Sequence, residues 1–431
     1  VKVLVVGNGG REHALAWKIR QSPLVKEVFC APGNAGIAKL ATCLPIETSD
    51  IVELADFAQD ARVGLTVVGP ELPMVLGIAD EFARRGLPIF APTRAAAEIE
   101  GSKAFAREFM TRHKVPSPRY EVCNSVEEAL DCCARAPFGF PLVLKADGLA
   151  SGKGAVVAQD RAEAEAAARA LMTDKRFGQA TAKIVIEEFL PGEEVSFLVF
   201  SDGQKALPMV SVQDHKRIGD GDTGPNTGGM GTVSPATHLT LDLHKQIMAE
   251  VILPTIGGLE KEGRRFQGVL YAGLMITDKG PKVLEFNARF GDPEAQVILA
   301  RLKSDLVPVL QGVAAGQLKD VKLEWAKEAA ACVVLASAGY PDAVQTGEEI
   351  LGLDALEGDA DVLAFHAATA LRDGKLVTVG GRVLGITALG ASLPAAVQRA
   401  YDATAKVSFG GMAYRKDIGA RSIARLGATA R

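Results

Sequence analysis

The chain has no stretch approaching ~18 consecutive apolar residues, so it offers no membrane-spanning helix. Its start, VKVLVVGNGG, lacks a basic region ahead of a long apolar run and reads as a strand entering a turn rather than as a signal peptide. The six cysteines (Cys30, Cys43, Cys123, Cys132, Cys133 and Cys332) lack metal-ligand spacing and read as small apolar residues in a reducing compartment. Glycine is plentiful, with 45 residues, but no G-x-y period appears. That excludes a collagen-like repeat and leaves many tight turns or backbone-lined sites. No internal repeat or low-complexity linker is present. The formal net charge of −4 gives no global attraction for nucleic acid and leaves room only for a local basic pocket. A cytoplasmic enzyme with neither membrane nor nucleic-acid partner is expected.

What is present fits a multidomain α/β chain. A length of 431 residues exceeds one ordinary core, and 48% hydrophobic with 23% charged residues is ordinary for a globular enzyme. VKVLVVG, EVFCAP, GLTVVGP and PIFAP read as buried parallel strands, separated by the helical patterns REHALAWKIRQS and DIVELADFAQDA. This parallel-sheet domain is expected over residues 1–102. Ligands of such sheets sit at the carboxyl ends of the strands. A second domain is expected over 103–327, with a subdomain at about 123–190 that contains the strand PLVLKADG, the loop LASGKGAVVA and the strand KIVIEEFL. The polar stretch QDHKRIGDGDTGPNTGGMG (213–231) has no room for a packed core and is expected to be a functional loop. A C-terminal mixed α/β domain is expected over 328–431.

Two phosphate fingerprints fail. In GNGGREHA, Gly7, Gly9 and Gly10 permit a sharp turn and the helix behind them offers free N–H groups to an anion. A dinucleotide site, however, needs a third glycine where Glu12 stands, and EVFCAP has no acid for an adenosine ribose. A dehydrogenase is disfavoured, and a plain βα turn stays as open as a phosphate site. LKADGLASGKG (144–154) is not a Walker A loop, because only three residues separate Gly148 from Gly152 and Gly154 occupies the hydroxyl position. Such a hairpin can still fold over phosphates, with Lys145 and Lys153 supplying charge, or can be a solvated surface hairpin. KIVIEEFLPGEEVSF (183–197) sets acids at a strand end, suited to ribose hydroxyls or equally to a solvated turn. KVLEFNARFGDPEAQ (282–296) is more specific. Glu285 and Asn287 share a strand face as two hard oxygen ligands for Mg²⁺, and Arg289 follows on that face if the strand continues. Asp292, Pro293 and Glu294 read as the cap and first two residues of a helix, a suitable anion site beside an arginine.

Taken in order, the lysine strand, glycine-rich lid, acidic hinge and metal strand resemble the ATP-grasp superfamily. GNGGREHA, IEGSKAF, KADGLASGKG, QDHKR, DTGPNTGGMG and RFGDPEAQ are similar to the motifs of its glycinamide ribonucleotide synthetases, essentially end to end. The resemblance implies a pre-ATP-grasp domain, an ATP-grasp domain with a mobile lid, and a C-terminal domain. It implies a monomer that uses ATP with Mg²⁺ or Mn²⁺ to join glycine to 5-phosphoribosylamine through glycyl phosphate. That chemistry needs positioning and charge neutralisation more than a protein nucleophile, which accords with the lack of a Ser-His-Asp or Cys-His constellation. By motif position, Lys103 and Lys145 meet ATP phosphates beneath Gly148, Ser151, Gly152, Lys153 and Gly154. Glu187, Glu188 and Phe189 frame adenine, Glu194 holds the ribose, and Glu285 and Asn287 bind the metal. Asn8, Gly9, Gly10, Glu71 and Arg289 fall to phosphoribosylamine, while Asp292 counts with the substrate groups or as a further ligand for the metal. Asp214, Asn226, Thr227, Gly228, Gly229 and Met230 fall near glycine. Arg289, Asp214 and Lys145 are the catalytic candidates. The strand VLYAGLMIT lacks the second acidic metal ligand that many ATP-grasp enzymes carry. A carboxylase-type or formyl-transfer ligase, or a non-catalytic ATP-binding module, are the rivals; RFGDPE with DTGPNTGGMG argues against the first, and the paired lysines and Glu285/Asn287 against the second.

Overall fold

The computed structural model describes residues 1–149, 154–173, 183–318 and 321–429. Val3–Val6, apolar and fully buried, form the middle of a five-stranded parallel sheet. The strand order is Thr42–Cys43, Glu27–Pro32, Lys2–Gly7, Leu65–Val68, Ile89–Phe90. The chain builds outward from Lys2–Gly7 in one direction and then returns to add Leu65–Val68 on its other side, so the order reverses between those two strands. Crevices at such reversals are where open α/β sheets bind ligands. The loops that leave these two strands carry Asn8–Gly10 and Glu71.

Two antiparallel four-stranded sheets follow. One runs Tyr120–Cys123, Ile184–Glu188, Leu142–Ala146, Ala155–Ala158, and encloses a small core of its own with the helices Val126–Arg135 and Arg161–Thr173. The other runs Ala206–Pro208, Glu193–Asp202, Gln267–Thr277, Gly280–Asn287. Its inner face shares one apolar cluster with the first sheet, in which Leu4 and Val6 belong with Phe197 and Leu270.

The last hundred residues supply Ala329–Ala336, Val362–His366 and Arg382–Gly390 to an antiparallel sheet covered by the helix Leu393–Thr404. That sheet also takes in Gln213–Asp214 and Gly231–Ser234. The polar glycine-rich stretch is therefore not a structureless loop. Between those two strands it forms a two-stranded ribbon, Arg217–Gly219 against Thr223–Asn226. Among the described residues no helix is long and apolar enough to cross a membrane.

Candidate active site

A cavity of about 470 Å³ separates the two antiparallel sheets and reaches the loops at the carboxyl ends of the parallel sheet. One wall is set by charge. Lys145, near the end of Leu142–Ala146, donates to the Leu284 carbonyl at 2.9 Å and pairs with Glu187 at 2.9 Å. Arg107 on the helix Lys103–Arg112 holds the same carboxylate with two hydrogen bonds, at 2.7 and 2.9 Å, and donates to the Val283 and Leu284 carbonyls. Glu187 is thus the centre of a buried clamp between the two sheets, its acidity strengthened by Arg107 and Lys145 against the opposing effect of burial. Burial lowers Lys145, with Glu187 opposing. Lys103, at the first position of its helix, reaches the Gly148 carbonyl at 2.8 Å. The Glu188 carboxylate is taken by Arg119 at 2.8 Å and Lys282 at 3.2 Å. The Phe189 ring is half-exposed at the cavity edge, and Glu194 lies 3.4 Å from Lys216.

The opposite wall is the strand Gly280–Asn287, where alternation puts Glu285 and Asn287 on the cavity side. Burial opposes the charge of Glu285, yet Lys216, Lys145 and Lys103 hold it down to about 2. Lys216 is in turn raised well above the ordinary lysine range, burial notwithstanding, by Glu194 and Glu285. The strand stops at Asn287, so Arg289 is not on a continued strand face. Its guanidinium is instead clamped by Glu71 at 3.0 Å and Glu100 at 2.9 Å, and touches Asn287 Oδ1 at 3.4 Å. The expected helix cap is also displaced. The helix is Glu294–Arg301, with Pro293 in the cap position and no side-chain cap. Asp292 lies one residue ahead of that position, where it accepts from Gln296 Nε2 at 2.8 Å and has Arg382 at 3.6 Å.

Asp214, Asn226, Thr227 and Gly228 line the third side. Burial and the neighbouring Glu294 push Asp214 well above the usual carboxylate range. Gly229 and Met230 stand behind this lining rather than in it. Gly229 has φ +118°, and a Cβ there would lie 2.8 Å from Asp214 Oδ1; Met230 is fully buried. Gly9 and Gly10 pack against Asp292 and Gln296 at the rim without lining the cavity, and the Asn8 carbonyl accepts from Asn34 at 2.9 Å. Gly148 and Gly154 line the cavity; Ser151, Gly152 and Lys153 lie outside the described residues.

This geometry coincides with one family over nearly the whole chain. Residues 1–100, 101–295 and 330–421 match, in turn, the N domain, the ATP-grasp (A) domain and the C domain of phosphoribosylglycinamide synthetase. The chain belongs to the phosphoribosylglycinamide synthetase family. A phosphoribosylamine–glycine ligase of Pseudomonas aeruginosa is 52% identical over 428 residues, with 99% of each chain covered. One from Escherichia coli is 52% identical over 429 residues, also with 99% of each covered. The crystal structure of phosphoribosylamine–glycine ligase from Thermotoga maritima is 36% identical, with a TM-score of 0.84 over 97% of this chain and 100% of that one.

For a family member with an ATP-grasp domain, the donor set suits a divalent cation. Glu285, held ionised, and the Asn287 amide oxygen give two hard ligands from one strand. Among the described residues no group of three or more His, Cys, Asp or Glu side chains gathers for a metal, so Mg²⁺ there would need phosphate oxygens and water. Arg11, Glu100, Arg107, Lys216, Tyr271 and Arg382, to which the motifs assign no site role, also line the cavity, and Glu294, expected only at the helix start, lines it with them. Arg11, Glu100, Lys216 and Glu294 stand within the quoted motifs GNGGREHA, IEGSKAF, QDHKR and RFGDPEAQ. Tyr271 carried no signal; its hydroxyl meets Glu294 at 2.5 Å inside the sheet.

Proposed function

We infer that this chain uses ATP to join glycine to phosphoribosylamine, giving glycinamide ribonucleotide, ADP and phosphate, a step of purine biosynthesis. One observation carries the reading. A phosphate-suited lysine pair, a two-oxygen metal strand and a braced arginine converge on one cavity in a chain about half identical, end to end, to ligases of that name.

Glycine's carboxylate is a poor electrophile, and its attack on the γ-phosphorus of ATP gives glycyl phosphate with ADP leaving. Lys103 and Lys145 neutralise charge on the phosphates while Glu188, Phe189 and Glu194 border the nucleoside. Glu285 and Asn287 would hold Mg²⁺, which when bound neutralises phosphate oxygens. The amine of phosphoribosylamine then attacks the glycyl carbonyl carbon, phosphate leaves, and the nitrogen loses a proton. Arg289, fixed by Glu71 and Glu100, supplies charge at the transferring group without reorganising. Asp214 and Glu294 form a buried acidic pair that the ammonium of glycine would relieve. The order of groups supports a phosphoribosylamine site between the loops after the parallel strands and Asp292.

The division into 1–102, 103–327 and 328–431, the monomeric state and the cytoplasmic setting belong to the same proposal. The free cysteines support a reducing compartment, and light scattering at a mass near one chain would support the monomer. The decisive assay follows ADP release. It should require glycine together with freshly generated phosphoribosylamine, with the amide product visible by mass spectrometry. Equal ADP release with bicarbonate or formate in place of glycine would overturn the assignment.

A further inference from the structure

The ribbon that carries one side of the cavity has little packing of its own. At its tip, Gly221 and Asp222 both adopt left-handed backbone, with φ of 68° and 56°. At its base, the Lys216 carbonyl accepts from Thr227 N at 2.7 Å and Thr227 Oγ1 at 2.8 Å. Most of its remaining support comes from a remote segment, residues 415–422. Arg415 is 2% exposed, the largest fully buried side chain in the molecule's described residues. Its Nη1 donates to Asp222 Oδ1 at 2.8 Å and to the Arg217 carbonyl at 3.2 Å, so one guanidinium grips both the tip and the base of the ribbon. Its other edge meets Asp417 with two 2.7 Å bonds. Asp417 in turn accepts from Gly221 N at 2.8 Å.

Two further contacts come from the same segment, the first to the ribbon's tip and the second beside the cavity lining. Lys416 N donates to Asp220 at 2.8 Å. Gly419 N donates to His215 Nε2 at 3.1 Å, which makes Nε2 the acceptor and Nδ1 the donor to the Gly231 carbonyl at 2.9 Å. His215 is flanked by Asp214 and Lys216, both of which line the cavity. Burial lowers the pKa of this imidazole, in the direction of the neutral ring that its pair of hydrogen bonds requires.

We propose that Arg415 is a positioning residue: through the ribbon it fixes Asp214, Asn226 and Thr227 at the glycine side of the cavity without touching substrate. A buried arginine with its donors directed at one ribbon and its own turn does more than fill space: Nη1 alone reaches the carboxylate at the tip and the carbonyl at the base, while Nε and Nη2 close on Asp417 as a planar fork that a lysine ammonium cannot reproduce. The kinetic part rests on the ligase reading; the structural part does not.

The test uses the full-length enzyme with Arg415→Met, Arg415→Lys and Asp222→Asn. Hydrogen exchange should accelerate in peptides covering 213–231 and stay unchanged in the parallel sheet around Lys2–Gly7. Steady-state kinetics should show kcat/KM for glycine falling about 10- to 100-fold, as misplacement of a positioning group does, while the KM for ATP holds. Arg415→Lys should recover only part of the loss, and Asp222→Asn, which leaves the core arginine in place, should reproduce the direction more mildly. Unchanged exchange in 213–231, or ATP and glycine parameters falling together, would overturn the proposal. Wild-type enzyme with no glycine-dependent ADP release would sink the ligase reading instead, and the exchange result would still judge the brace.

Discussion

Arg289 stands between two carboxylates that its surroundings treat in opposite ways. Burial works against the charge of Glu71, but Arg289 and Arg11 hold it at about 2. For Glu100 burial wins and lifts it to about 7, with Arg289 opposing and Glu71 adding. A carboxylate raised from 4.5 to about 7 on folding binds its proton more tightly in the native state. Its stabilising contribution is therefore complete below pH 4.5 and is lost as pH rises through about 7. Glu100→Gln removes that titration, so the variant should gain on wild type across this window, by at most about 3 kcal/mol. Urea unfolding at several pH values checks this, and a difference that stays flat would show Glu100 ionised throughout. Glu285→Ala should abolish the Mg²⁺ dependence of turnover and lower kcat about 100- to 1,000-fold, the scale for losing one group at developing charge, with far-ultraviolet circular dichroism unchanged. Glu285 and Asn287 were legible because strand alternation sets them on one face, and Arg289 only through its short spacing from them, since the strand ends at Asn287. Glu100 and Arg107 were not: Glu100 stands in IEGSKAF, but nothing there names Arg289 as its partner, and Arg107 is a single charge in a helical pattern. Arg107's partners lie 80 and 176 residues away, a distance no local pattern carries.

At the scale of elements, apolar runs long enough to be buried on both faces announced the parallel strands, and the structure has them in parallel register. The glycine-rich ribbon could not be read in the same way. Its strands are polar, and what holds them, Arg415 and its neighbours, comes from the far end of the chain. Nearer neighbours, Pro293 and Asp214, explain why glycine is needed at 229. The backbone there has φ +118°, and an added Cβ would lie 2.5 Å from Pro293 Cδ and 2.8 Å from Asp214 Oδ1. Neither neighbour has room to yield, since one is a ring at a helix start and the other a buried carboxylate. Gly229→Ala should cost about 1–3 kcal/mol from backbone strain alone. It should also raise the KM for glycine more than that for ATP, because the displaced group is Asp214. Denaturant unfolding and steady-state kinetics on one preparation separate the two effects, and an unchanged glycine KM would detach Asp214 from that substrate.

The whole molecule is stitched together by elements far apart in sequence. The parallel sheet shares its cores with both of its successors, and the sheet of the last hundred residues borrows two strands from 213–234. The three-part order was legible from the sequence of motifs, but this sharing was not, because nothing in Gln213–Asp214 or Gly231–Ser234 names a partner beyond residue 328. A second stitch joins the first helix, Gly10–Arg20, to Val362–His366. His366 N donates to His13 Nδ1 at 2.7 Å, and the two rings lie 5.5 Å apart. Burial, then His366 and Lys39, lower His13 to about 3; burial and Lys39 lower His366 to about 4. An imidazole depressed in the folded state from 6.5 contributes stability that is complete above pH 6.5 and lost as pH falls through its folded value. Acid should therefore loosen the contact between the first and last units before carboxylates such as Glu71 begin to protonate. His13→Asn keeps an acceptor for His366 N but removes one titrating ring. The variant should lose less stability than wild type between pH 6.5 and pH 4, measured as the change in Tm across that range. Equal losses in the two proteins would mean that the His13–His366 contact carries none of the acid sensitivity.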